Sequence, residues 1–473
     1  MKVLLINPLA KEKELKRHGG DSQLPLGLLW IGAMLQDEGH RVKIIDNEWS
    51  KYSDKIFEVE VREFNPQFVG ITFFTAKYES VLSTAKLIKK INKNIHICAG
   101  GPHVMMAPFE TINEIKELDS IINGEGEFAT VELVNALENY SDLSGIRGLL
   151  FRGSNGEIKK NEKLEFIDDL DALPLPAIEL APDFRKRRST YRYKQLPATG
   201  IITSRGCPFS CIFCNTTFGK KYRTRSAENV VKEIELLVNK YSFKEITILD
   251  DLFFLDPKRT KKICELIIEK DIKITWSCNA RVDILYQNLE ILPLLKKAGC
   301  WYLSFGIENG NQELLKMMKK KIDLEQVRVV TKEVHRHGFF QHAGFILGMP
   351  KDTKENIRNT INFAKSLPLD GVQFSIAVPY PGTELYEIAA EYGTFIKDDY
   401  KNMATFTKDP VFIANGLSKK YLKNIQKKAY REFYFRFSYI FRQFRFLRDW
   451  NNLKKYLHAG YSHFKLYLLN QNK

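Results

Sequence analysis

The stretch Thr203-Ser204-Arg205-Gly206-Cys207-Pro208-Phe209-Ser210-Cys211-Ile212-Phe213-Cys214-Asn215 sets three cysteines at the spacing C-x3-C-x2-C. A structural zinc site is closed by four Cys or His ligands, and the nearest other residues of either type in the chain are His103 and Cys264. Cys264 falls in an apolar helical pattern and reads as core. Three thiolates leave a metal shell one ligand short. A 4Fe-4S cluster, normally held by four thiolates, would keep one iron open to a small molecule. The competing reading is of three small buried side chains or a fragment of a zinc site.

On both sides of this loop short apolar strands alternate with helical patterns, the sequence form of parallel sheets covered by helices. Upstream, strands are predicted at residues 3–7, 42–46, 68–72, 95–99 and 120–122, giving an α/β, flavodoxin-like Rossmann layer over residues 1–143. Downstream, strands near 200–204, 245–249, 273–277, 301–305, 342–347 and 371–377 alternate with helices in a six-fold (β/α) run over residues 198–385. Residues 144–197 read as a hairpin, 149–152 with 157–160 about Gly153-Ser154-Asn155-Gly156, followed by a proline-bearing linker. Residues 386–473 read as a helical tail.

At 473 residues the chain exceeds one ordinary core. Seven cysteines, three of them in one loop, do not make the scattered framework of a secreted disulfide protein. The first residues, Met1-Lys2-Val3-Leu4-Leu5-Ile6-Asn7-Pro8, read as a strand ended by proline rather than a signal peptide. No run approaches the roughly 18 apolar residues that cross a bilayer. The expectation is a cytoplasmic protein. Of the net charge of +15, the segment 417–473 holds +12, with 14 Lys and Arg against only Glu432 and Asp449. Basicity belongs to the tail, and no nucleic-acid partner is implied. Lys186-Arg187-Arg188 reads as solvated surface.

The cysteine spacing, with Phe213 before Cys214, resembles the C-x3-C-x-aromatic-C signature of the radical S-adenosylmethionine superfamily. That resemblance implies a partial TIM barrel and a 4Fe-4S cluster on Cys207, Cys211 and Cys214, whose open iron is chelated by the methionyl amine and carboxylate. An electron from the cluster then cleaves the sulfonium to a 5′-deoxyadenosyl radical. Upstream, Leu24-Pro25-Leu26-Gly27-Leu28, Gly100-Gly101-Pro102-His103 and Gly124-Glu125-Gly126-Glu127 resemble the cobalamin-binding domain that precedes many such barrels. The D-x-H-x-x-G motif that gives cobalt a histidine is absent from it, and a lone His103 beside Gly-Gly-Pro reads as a turn residue or a polar contact rather than a cobalt ligand.

Ligands of parallel sheets and barrels bind at the carboxyl ends of the strands. In the first sheet this singles out Thr72, Gly100, Gly101, Gly124 and Glu125 for cobalamin, although tight turns alone explain such glycines equally well. In the barrel it singles out Asp250 and Asp251, Asn279, Arg281 and Glu308. Alternation lets only one of the adjacent acids face the mouth, and the other reading of Asp-Asp is a helix entry. The resemblance implies that an acid here receives the methionyl ammonium, that Arg281 forks onto the methionyl carboxylate, and that Glu308 accepts from the ribose or the amine. Arg281 is equally readable as a structural ion pair. Leu347-Gly348-Met349-Pro350 and Pro379-Tyr380-Pro381-Gly382-Thr383 resemble motifs of cobalamin-type members.

Tyr430, Phe433, Tyr434, Phe437, Ile440, Phe441, Phe444 and Leu447 recur at helical steps beside basic residues, a pattern of a helix packed on the barrel or lying on an anionic membrane at the inner face. The expected enzyme methylates an unactivated carbon of a small-molecule or lipid-like substrate, with an external electron donor such as flavodoxin or ferredoxin. The alternative is a radical cyclase like the anaerobic porphyrin cyclases. Transfer-RNA methylthiolation is excluded, since those enzymes carry three further N-terminal cysteines where this chain has only Cys98.

Overall fold

The computed structural model describes residues 1–9, 23–182, 184, 193–397, 399–403, 409–437 and 439. Strands β1 (Lys2–Asn7), β2 (Arg41–Asp46), β3 (Phe68–Thr72), β4 (His96–Gly100) and β5 (Ser120–Ile122) form a parallel sheet. The order β2-β1-β3-β4-β5 is the flavodoxin order. Its strands are apolar on both faces, as burial under helices on both sides demands. Val3 and Leu5 pack into one core and Leu4 and Ile6 into another, the alternation of a pleated strand.

The expected hairpin is present as β6 (Leu149–Arg152) and β7 (Ile158–Lys160), and it joins the first sheet: β6 pairs antiparallel with β5 and extends the sheet to seven strands. It covers a β5 edge that would otherwise present unpaired backbone groups.

The second sheet has six parallel strands in the order β15-β14-β13-β12-β11-β8, an open barrel in which neighbours in sequence are neighbours in space. They are β8 (Ala198–Ile201), β11 (Glu245–Ile248), β12 (Thr275–Ala280), β13 (Cys300–Glu308), β14 (Phe340–Leu347) and β15 (Gly371–Ile376). A two-stranded antiparallel ribbon, β9 (Ser204–Arg205) with β10 (Arg223–Thr224), branches from β8. The expected strand at 200–204 is thus two, β8 and β9, separated where the chain turns at Thr203. One core runs from the face of the first sheet that holds Val3, Leu5 and Phe68 into the barrel at Ile201, Ile246 and Leu303.

An open barrel exposes the edge of β15, and the tail helix α3 (Lys419–Tyr434) covers it; α1 (Leu26–Asp37) and α2 (Gly126–Glu138) lie against the first sheet. Tyr434 Oη accepts from Val372 N (3.1 Å) and Tyr430 Oη from Phe374 N (3.0 Å), while Gln426 Nε2 donates to Phe374 O (2.7 Å). Four residues of helix rise about 6 Å and two residues of strand about 6.7 Å, so an i,i+4 pair of tyrosines matches alternate backbone groups. Of the expected stripe, Tyr430, Phe433 and Tyr434 pack on the barrel and Phe437 is 81% exposed. Ile440, Phe441, Phe444 and Leu447, like Lys186-Arg187-Arg188, lie outside the described residues. Among the described residues no helix is long and apolar enough to cross a membrane.

Candidate active site

The ribbon β9–β10 is the neck of a loop, residues 206–222, that carries the three cysteines to the carboxyl mouth of the barrel. Gly206 opens it at φ +89°, and a Cβ there would lie 2.1 Å from Lys221 O, so only glycine lets the two limbs close. Cys207 N donates to Gly219 O (3.0 Å) across the loop, and Cys214 N to Cys211 O (3.1 Å). Ile212 is the anchor. It is buried in an apolar cluster with Met318 and Met349, its N donates to Met318 O (3.1 Å), and its carbonyl accepts from Leu385 N (2.8 Å).

With the apolar residue turned inward, the thiols face the mouth: Cys207 and Cys211 are half-buried and Cys214 is exposed. Crowding by the surrounding protein, then by Cys211 and Asp251, pushes the Cys214 thiol up to about 12, although water reaches it from the open side. Cys264, Cys278 and Cys300 are buried in the core. Among the described residues the mouth holds these three thiols and no fourth cysteine, with Cys207 and Cys211 near enough to Cys214 to act on its charge.

Asp250 and Asp251 separate as alternation requires. Asp250 points inward, accepting from Thr203 N (2.6 Å), Thr203 Oγ1 (2.5 Å) and Ser204 Oγ (2.6 Å). Where a cofactor contact was expected of Asp250 or its neighbour, the two oxygens of Asp250 are engaged by the residues that lead into the cysteine loop. Asp251 is exposed at the floor of the mouth, where surrounding protein and then Asp250 raise its pKa. Asn279, at the end of β12, is also exposed.

Arg281 makes the ion pair that was one of its two expected readings. Its Nε and Nη2 bind Asp283 Oδ1 (3.0 Å) and Oδ2 (2.8 Å), and its guanidinium lies 3.6 Å from the centre of the Phe209 ring. Nη1, 4.0 Å from Cys211 Sγ, is the part turned to the mouth. Arg281 braces the loop. Glu308, at φ +70° beyond a register shift in β13, pairs with Lys320 Nζ at 3.0 Å. A Cβ on Gly306 would meet Glu308 Oε1 at 2.4 Å, so the glycine makes room for this pair.

At the carboxyl edge of the first sheet Thr72 and Gly100 are partners in register. Gly101, at φ +111°, brings the chain against Phe73: His103 N donates to Phe73 O (3.0 Å) and Phe73 N to Gly100 O (2.7 Å). Gly124, at φ +153°, sits under Leu164. Gly101 and Gly124 thus serve close packing within the chain, whereas Gly100 and Gly27 face open space, with nothing nearer than 4.0 Å to an added Cβ. His103 is fully buried, its Nδ1 is 3.1 Å from Thr75 Oγ1, and its ring stacks on Phe73 (4.3 Å) and meets Tyr400 edge-on (5.0 Å). Burial lowers its pKa to about 4. Its Nε2 has no hydrogen-bond partner among the described residues.

Glu125, expected beside cobalamin, accepts from Arg205 Nη1 (3.0 Å), Arg223 Nη1 (2.8 Å) and Nη2 (3.0 Å), and Ile167 N (2.6 Å). Arg205 Nη2 also donates to Glu127 (2.6 Å). With Met106 in contact with Asn215, these bonds bring the edge of the first sheet directly onto the cysteine loop. Sequence reasoning missed Arg205, Arg223, Glu127 and Lys320. The two arginines flank the cysteine loop in the chain, a symmetry that was the available signal.

The Radical SAM superfamily model matches residues 201–364 and the B12-binding domain model residues 18–134. An uncharacterized methyltransferase of Pyrococcus horikoshii is 35% identical over 92% of this chain and 93% of its own. The anaerobic magnesium-protoporphyrin IX monomethyl ester cyclase of Rubrivivax gelatinosus is 25% identical over 97% of this chain and 81% of its own. Among solved structures, the radical S-adenosylmethionine methyltransferase TsrM of Kitasatospora setae, with cobalamin and a 4Fe-4S cluster bound, superposes with a TM-score of 0.67. That match has 19% identity and covers 82% of this chain and 75% of the other.

Proposed function

The chain belongs to the radical S-adenosylmethionine superfamily, in the branch that also carries a B12-binding domain, and from that membership we propose that it methylates an unactivated carbon of a small organic substrate. The observation that carries the reading is the meeting of two carboxyl edges, a barrel mouth bearing three thiols and a flavodoxin-order sheet bound directly to the cysteine loop.

Cys207, Cys211 and Cys214 hold the 4Fe-4S cluster, while Thr72, Gly100 and the open face of Gly27 border the cobalamin. When bound, these cofactors supply an electron to the sulfonium of S-adenosylmethionine and a transferable methyl group. The chain's own residues bind and orient. Glu308 and Lys320 form an ion pair that a zwitterion can open, the carboxylate taking an ammonium or hydroxyl and the ammonium a carboxylate. Asp251 and Asn279 add an acceptor and an amide at the same mouth. Arg281 keeps its charge beside Cys211 and braces the loop against Phe209.

The cyclase relative spans nearly the whole chain, and its chemistry, radical ring closure without methyl transfer, is the second reading. A small acidic electron donor completes the reaction in either case, and the +12 segment 417–473 suits an anionic substrate or lipid surface. The test is anaerobic reconstitution followed by incubation with methyl-labelled S-adenosylmethionine and reduced cobalamin. Label on the cobalamin, with 5′-deoxyadenosine formed under reducing conditions, is the expected result. Formation of 5′-deoxyadenosine without any labelled cobalamin would favour the cyclase.

A further inference from the structure

Arg205 and Arg223 face each other in the register of β9 and β10, so the neck of the cysteine loop is a pair of arginines. Both grip one carboxylate, that of Glu125, which stands immediately before α2 at the end of the first sheet. Glu127 of the same helix takes the second arm of Arg205. Trp30 of α1 and Phe218 of the loop lie 5.2 Å each from the Arg205 guanidinium. Arg223 also donates to Ile167 O (2.5 Å) and Phe218 O (2.9 Å), drawing the connecting chain into the same knot. The four side chains are 1–7% exposed.

A buried set of two cations and two carboxylates is neutral but costly to desolvate, and an apolar patch of equal size would join the two sheets at least as firmly. What the ions add is direction. Four charge-assisted bonds with fixed donor and acceptor geometry admit one relative placement of helix and ribbon, where apolar contact tolerates sliding.

We propose that Glu125, Glu127, Arg205 and Arg223 are positioning residues that set the cysteine loop in register with the carboxyl edge of the first sheet and so fix the separation of cluster and cobalamin. The inference rests on the cofactor assignment made above. None of the four touches a reacting atom. Arg205 is two residues from Cys207, and Trp30, against its guanidinium, shares α1 with Gly27, so a shift in the quartet displaces both sites together.

The test compares full-length protein with its Glu127→Gln and Glu125→Gln variants, which keep the shape of the acid and leave the quartet with an uncompensated positive charge. In protein free of cofactors, amide hydrogen exchange across residues 206–222 is expected to accelerate about ten-fold or more while β13 and β14 exchange as before. After anaerobic loading, the variants are expected to hold wild-type amounts of iron and cobalamin. The magnetic coupling between the reduced cluster and cob(II)alamin, read by electron paramagnetic resonance, is expected to shift or broaden. Loop exchange and coupling both equal to wild type in Glu127→Gln would overturn the proposal. Uniform acceleration across both sheets would overturn it too, since that is a general loss of stability. Where Glu125→Gln does not fold, Glu127→Gln, which alters one bond of Arg205, decides alone. Wild-type protein that takes up neither cofactor would sink the assignment above, and the exchange experiment would still decide whether the quartet positions the loop.

Discussion

The two carboxyl edges that meet in this chain are furnished in opposite ways. At the barrel mouth Cys214, Asp251 and Asn279 reach solvent. At the edge of the first sheet several polar side chains are engaged within the chain: Asn7 with Asp46 at 2.7 Å, Lys77 with Asn7 at 2.6 Å, Glu125 with two arginines, and His103 through Nδ1 with Thr75. The barrel thus presents donors, and the first sheet presents backbone and space beside Gly27 and Gly100. Free thiols suit a cluster assembled on the protein; a smooth edge suits a cofactor that carries its own metal ligands.

The largest expected effect breaks the barrel side alone. Replacing Cys207, Cys211 and Cys214 together by Ala is expected to abolish cluster iron and its charge-transfer absorption. Thermal stability should barely move, because Ile212, the buried anchor of the loop, is retained. Cys264→Ala and Cys300→Ala should keep their iron. Iron retained by the triple variant would end the assignment.

Next in size is the joint between the edges. Glu125→Ala leaves Arg205 and Arg223 buried side by side, which costs about 3–5 kcal/mol in denaturant unfolding. A loss below about 1 kcal/mol would mean that the apolar contacts of Trp30 and its neighbours, not the ions, hold the edges together.

How far this contrast was legible in the sequence depends on the range of the interaction. Strands at 68–72 and 120–122 were readable to the residue because buried parallel strands are short apolar runs bounded by turn residues. The cysteines were readable because ligand spacing is local. Arg205 and Glu125 are 80 residues apart, and Arg223 and Glu125 98, so nothing near either arginine announces its partner. Between Asp250 and Asp251 alternation says that one faces the mouth, but which one is decided by Thr203, which follows the neighbouring strand β8 and is 47 residues away in the chain. Arg281 is the converse case, since Asp283, which takes its fork, is only two residues away and the ion pair was already one of its readings; β12 runs on through Asn279 because the polar mouth residues belong to the strand itself.

His103 sharpens the smooth character of the first edge. His103→Gln is expected to leave the cobalt spectrum of the loaded protein unchanged, and nitrogen coupling lost from that spectrum would contradict the enclosed ring. Its effect is on pH dependence. The folded pKa of about 4 lies below the unfolded value near 6.5, so between these values the unfolded chain binds the extra proton and acid destabilises the fold. At pH 5 the penalty is about 2 kcal/mol by that linkage. Glu245 and Asp352, raised to about 7 by burial, act in the opposite sense over the same range, so only the difference between variant and wild type isolates the histidine. The variant should gain on wild type as pH falls from 6.5 towards 4; a pH-independent difference would show that the ring is not held neutral.

The smallest effect concerns how each sheet protects its edge. The first sheet extends itself with β6 and β7, whereas the barrel borrows tyrosine hydroxyls from α3. Tyr434→Phe keeps the ring and removes the oxygen that accepts from Val372 N and donates to Val372 O (3.2 Å). A half-buried hydroxyl of this kind contributes about 1 kcal/mol, and Tyr430→Phe, deeper in the contact, should cost somewhat more. Truncation before Lys419 removes both together with Gln426 and leaves β15 as a bare parallel edge, for which association between chains is the expected outcome. Denaturant unfolding of the two tyrosine variants and light scattering of the truncated protein measure these effects. Tyrosine variants as stable as wild type, with a monomeric truncation, would mean that the barrel edge does not depend on the tail. The extra charge of 417–473 would then be the reason the tail is there.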